Sequence, residues 1–71
     1  MALEVNYWHK DGPNGEGCLK TVRIKRKEEA HPLAAAEHRP PDCVRVTLDR
    51  SDKQSPVTRD LWIQPGYNPP F

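Results

Sequence analysis

Apolar and polar residues alternate along four short stretches of the chain. In Leu3-Glu4-Val5-Asn6-Tyr7-Trp8 the apolar positions Leu3, Val5 and Tyr7 recur at every second residue, and in Lys20-Thr21-Val22-Arg23-Ile24-Lys25 Val22 and Ile24 do the same. This is the period of a β-strand with one face buried. The loop between them contains Asn14-Gly15, a dipeptide suited to the positive φ angles of a tight hairpin turn. A two-residue turn centred there brings Tyr7 opposite Val22, Val5 opposite Ile24, Glu4 opposite Lys25 and Trp8 opposite Thr21. Apolar then meets apolar and acid meets base, the pairing that stabilises an antiparallel ladder.

The pattern repeats further along. Val44-Arg45-Val46-Thr47-Leu48-Asp49 and Arg59-Asp60-Leu61-Trp62-Ile63-Gln64 alternate across the polar segment Ser51 to Pro56. Centring that loop on Lys53 and Gln54 pairs Val46 with Leu61, Val44 with Ile63, Arg45 with Trp62 and Thr47 with Asp60. Between the hairpins, Glu28 to Pro41 allows two readings. Pro32 can open a short helix over residues 32–38 that ends at Pro40-Pro41, or the whole segment can run as an extended linker. Residues 65–71, PGYNPPF, cannot continue a central strand, because three prolines remove backbone donors.

The predicted fold is therefore all-β and mainly antiparallel, with two hairpins forming a small four-stranded twisted sheet or open barrel. Residues 1–64 make a single small β domain, and residues 65–71 form an extended Pro-rich tail. The alternation that turns Val5, Tyr7, Val22, Ile24, Val46 and Leu61 inward turns Trp8 and Trp62 outward, beside Arg23, Lys25 and Arg45. Two large aromatics on a polar face require a cover. Either the tail folds back with Tyr67 and Phe71, or Arg45 stacks on Trp62, or a partner binds there.

Composition narrows the function. At 71 residues, 35% of them hydrophobic, the chain has few large side chains with which to build a core, and a partner would add to its stability. Eleven Lys and Arg against ten Asp and Glu leave a net charge of +1, far from the strongly basic balance of a general polyanion binder. The basic residues are concentrated locally, from Lys20 to Lys27 within one expected strand. No apolar run is long enough to span a bilayer, and Met-Ala-Leu-Glu-Val lacks the build of a signal peptide, so the expected location is cytoplasmic or within an intracellularly assembled particle.

Cys18 and Cys43 with His9, His31 and His38 could supply zinc ligands, but their spacing matches no common finger or ribbon, and no metal or cofactor is expected. A disulfide between the two cysteines would be disfavoured in a reducing compartment. Gly12, Gly15 and Gly17 resemble a phosphate loop only superficially, since a strand rather than a helix follows them. Ser51 and Ser55 both lie in a polar turn, with no histidine placed to activate them. The expectation is a non-enzymatic protein-binding module, an inhibitor, adaptor or accessory subunit of a larger protein or assembly. Its contact residues are expected to be Trp8, Arg23, Lys25, Arg45, Trp62, Tyr67 and Phe71. Homo-oligomerisation is a further expectation. The alternative is a small module for single-stranded RNA or DNA, using the same aromatics and cations for stacking and phosphate contact.

Overall fold

The computed structural model describes residues 2–12, 15–51 and 57–69. Strands β1 (Ala2–His9), β2 (Gly17–Ile24), β3 (Arg45–Ser51) and β4 (Val57–Ile63) form one antiparallel four-stranded sheet. Its order is β2-β1-β3-β4, so the two hairpins join through β1 and β3, with β2 and β4 as edges. The result is the four-stranded sheet of the two expected forms. The strand with the cleanest run of inward apolar residues, β1, takes a central place.

The connection from β2 to β3 crosses one face of the sheet through a 3-10 turn (Lys27–Glu29), a one-turn helix α1 (Ala30–Leu33) and a second 3-10 turn (Ala36–His38). Val5, Tyr7 and Val46 have no exposed surface beneath it, and Ala30 packs on them from above. Alanine is the side chain that lets this backbone come close to the sheet. The Tyr7 hydroxyl, whose pKa is raised by burial and then by the nearby Cys43, donates to the Leu33 carbonyl at 2.6 Å. That bond satisfies a carbonyl at the end of α1 and ties the crossover to the central strand.

Pro32 sits inside α1 rather than at its first position, and the crossover starts earlier than residue 32. The cause is Glu29, whose carboxylate accepts the backbone N–H groups of Lys25 and Arg26, both at 2.9 Å. Those two bonds hold the Glu29 pKa below its usual value. They also end β2 at Ile24, so Lys25, Arg26 and Lys27 leave the strand in which they were expected.

Both hairpins differ from the expected register. In the first, Val5 pairs with Val22, Leu3 with Ile24 and Glu4 with Arg23, two residues away from the register drawn from the sequence. A slip of two leaves every side chain on the same face, so alternation cannot detect it. The loop decides the matter. It spans residues 10–16, the Gly15 N–H closes on the Gly12 carbonyl at 3.1 Å, and Gly15 has φ 90°. Asn14 of the expected turn lies outside the described residues. Replacing Gly15 with Val is expected to destabilise the domain by about 1–3 kcal/mol, because a β-branched residue is strained at that φ. Thermal melting followed by circular dichroism checks this, and an unchanged midpoint would mean the loop relaxes without cost.

In the second hairpin Thr47 pairs with Asp60 as expected, but the ladder then slips, and Val46 pairs with Trp62 and Arg45 with Ile63. Leu61 is the extra residue of a β-bulge. Leu19 is its counterpart on β2, where the slip falls between Tyr7 and Trp8. Tyr7 pairs with Val46, so the two bulges lie in neighbouring rows on opposite edges of the sheet. Edge strands are where bulges concentrate.

Trp62 is thereby carried to the covered face, where it packs against the core and stacks under Arg39, whose guanidinium carbon lies 3.7 Å from the ring centroid. Ile63 moves the other way, onto the face of Arg45. No helix among the described residues is long and apolar enough to cross a membrane.

Candidate interaction surfaces

The seven residues expected to make contacts do not form one patch. Trp8, Arg45 and Tyr67 meet on the uncovered face, Trp62 lies on the opposite one, and Arg23 and Lys25 are exposed near the β2 edge. Arg23 is mostly solvated, with Nε 3.8 Å from Glu4. Phe71 lies outside the described residues.

The uncovered face is polar and almost fully bonded to itself. Thr21 on β2 donates to Asn6 Oδ1 at 2.6 Å, and the Asn6 amide donates in turn to Asp49. Asp49 also accepts from Thr47 at 2.9 Å and from Thr58 at 2.7 Å, while the Trp8 indole N–H donates to Thr47 Oγ1 at 2.9 Å. This chain of bonds crosses all four strands. Asn6 and Thr47 are both buried within it. Trp8 is half-buried, with its one polar atom bonded into the network.

Beside it sits a buried ion pair. Arg45 Nη1 lies 2.8 Å from Glu16 Oε1, and their side chains are 7% and 4% exposed. Arg45 Nε donates to Asp60 at 2.7 Å, and the Tyr67 hydroxyl donates to the second Glu16 oxygen at 2.8 Å. Burial pulls the Arg45 pKa down, but bonds and charge from Asp60 and Glu16 outweigh it and leave the group above its usual value. Tyr67 is raised, first by burial and then by Glu16. Arg45 therefore does not stack on Trp62, and the described part of the tail is fastened to its own domain. Glu16 escaped the sequence reading because a loop acid gives no periodic signal.

Cys18 and Cys43 are free thiols, and Cys43 has its pKa raised chiefly by burial, so it is not poised as a thiolate. Among the described residues no three of His, Cys, Asp and Glu converge as a metal site. The threonine hydroxyls donate to Asn6 and Asp49, and His9 Nδ1 accepts the Asp11 N–H at 3.2 Å.

The covered face has an open end. Its side chains form rows across the sheet: Tyr7, Val46 and Trp62; then Val5, Leu48 and Arg59; then Leu3, Arg50 and Val57. The crossover covers the first of these best and leaves the last uncovered. There Leu3, Leu48 and Val57 line a cleft ringed by Lys27, Arg50 and Arg59. Val57 is one of only two large apolar side chains classed as exposed among the described residues, at 38%. None of the three cations has a carboxylate within ion-pair distance among the described residues. The sequence carried a sign of this site: Arg50 continues the phase of Val46 and Leu48, and Arg59 shares the phase of Val57 and Leu61. Cations at apolar positions of a strand mark a place where the buried face meets water.

No family model, curated protein or solved structure matches the chain.

Proposed function

We propose that this chain is a non-catalytic protein-binding module that docks onto a larger protein or assembly, acting in the cytoplasm or within a particle assembled there. The observation that carries the reading is the contrast between its two faces. On one, Asn6, Glu16, Arg45, Asp49 and Asp60 are all engaged with partners inside the domain. On the other, three cations without an ion-pair partner among the described residues ring a strip whose outer member, Val57, is 38% exposed. Groups already bonded internally are poorly suited to acid–base work. An apolar strip left in water gains by being covered.

The nucleic-acid alternative has less support. Binding of single strands relies on aromatic faces for base stacking. Trp62 is stacked under Arg39 on the covered face, and the cleft is lined by aliphatic and cationic side chains with no aromatic ring among them.

Affinity capture with wild-type chain and with a Val57→Asp variant tests the reading. A stoichiometric protein partner held by wild type and lost with the variant is the expected result, with circular dichroism showing both chains folded. Recovery of nucleic acid alone, or of a partner that ignores the substitution, would overturn docking at this cleft. A second copy of the chain as the only partner, seen by light scattering, would replace it with self-association.

A further inference from the structure

Resting on the docking reading, we infer that the cleft bounded by Lys27, Arg50 and Arg59 receives an extended acidic segment of a partner protein, one that alternates carboxylates with apolar side chains. Charge complementarity identifies the occupant. The three cations come from different elements, the 3-10 turn, β3 and β4, and converge on one strip made by Leu3, Leu48 and Val57. Cations interleaved with aliphatic residues match a ligand with the same interleaving, in which carboxylates meet the guanidinium and ammonium groups and aliphatic side chains cover the strip.

A phosphate backbone fits less well. It would offer anions in a continuous run with no aliphatic groups between them, and a chain of net charge +1 has little field to attract it. The neighbouring depression along the crossover is lined by Glu28 and Asp60 as well as by Lys27 and Arg59. Acids on that side oppose a second anion and limit the receptive region to the open end of the sheet.

The edge position of β4 adds a second element of recognition. Among the described residues no strand pairs with its outer side, and from Val57 to Asp60 it is paired with β3 without irregularity. The Leu61 bulge falls beyond this stretch. An extended segment laid against Val57 to Asp60 would use the free backbone groups of the edge and present alternate side chains toward Arg59 and Val57. Two-residue alternation in the ligand follows from that geometry.

The test uses the full chain, labelled with nitrogen-15, and a capped peptide alternating Glu and Val, with Gln/Val and Lys/Val peptides as controls and oligothymidylate as the nucleic-acid probe. The expected result is that the Glu/Val peptide shifts the amides of Leu3, Lys27, Leu48, Arg50, Val57 and Arg59. Affinity should fall by about tenfold or more in an Arg50→Glu, Arg59→Glu double variant and stay unchanged in Arg23→Glu, on the opposite face. Should the double variant not fold, the wild-type chain still decides: binding must weaken with added salt and be weaker for the Gln/Val peptide. Equal affinity for the Glu/Val and Gln/Val peptides, shifts placed elsewhere, or tighter binding of oligothymidylate would each overturn the inference. Failure here alongside a protein partner lost on Val57→Asp would remove the acidic segment and leave docking standing. Failure of both would remove the docking reading.

Discussion

A Tyr7→Ala variant is expected to lose its cooperative fold or to melt at least about 15 °C below wild type. Tyr7 has no exposed surface, and its ring lies in the row with Val46 and Trp62, under the crossover. Removing a large buried aromatic typically costs about 3–5 kcal/mol, and about 1 kcal/mol more follows from leaving the Leu33 carbonyl without its donor. A domain of this length has only about 4–11 kcal/mol in all, taking roughly 0.05–0.15 kcal/mol per residue. One substitution therefore removes a third or more of the total. Tyr7→Phe keeps the ring and loses only the hydroxyl, for an expected cost of about 1–2 kcal/mol, or roughly 4–15 °C in a domain this small. Thermal melts of the two variants separate packing from hydrogen bonding. Equal losses would mean that the bond to Leu33, and not the ring, holds the crossover down.

Arg45→Ala is expected to cost about 3–5 kcal/mol, because it leaves Glu16 buried without its counter-charge. Asp60 contributes less to this loss, since its side chain is 46% exposed and can return to water. The same reasoning predicts the outcome of a double variant. Replacing Glu16 by Gln and Arg45 by Met removes both charges together and should recover most of the stability lost in the single variant, because an uncompensated buried charge is worse than an uncharged site of similar volume. Denaturant titration of Arg45→Met, Glu16→Gln and the double variant measures the coupling. Additive losses would show that the two side chains act independently, and that the ion pair is not what fastens the loop before β2 to β3.

What the sequence made legible was parity. Every second residue of β1 and β3 lies on the face assigned to it, because period-two alternation records which face a side chain takes. Registers were less legible, since the pairings of Val5 with Ile24 and Val5 with Val22 place the same side chains on the same face. Trp62 was misplaced for a sharper reason. A bulge changes parity in mid-strand, and Leu61-Trp62-Ile63 is a run of three apolar residues in which either phase looks acceptable. The site suffered accordingly. Arg45 on an alternating strand reads as a solvated cation unless Glu16 is known to face it, and that acid arrives from a loop. Arg50 and Arg59 were readable as misfits in their own strands, but only the row geometry joins them to Leu3 and Lys27.

The central position of β1 bears on how the domain assembles. Its first partner, β2, follows after a short loop, so that hairpin needs little loop closure. Its second partner, β3, is joined only through the full crossover, and Ala2 pairs with Ser51, the last residue of that strand. The covered row is therefore incomplete until Val46 arrives. Such non-local pairing is slow, and β-rich domains of this kind fold on the order of milliseconds to seconds. During synthesis the first hairpin leaves the ribosome with one side of β1 still unpaired. Val5 and Tyr7 are fully buried only once the crossover and then β3 have followed.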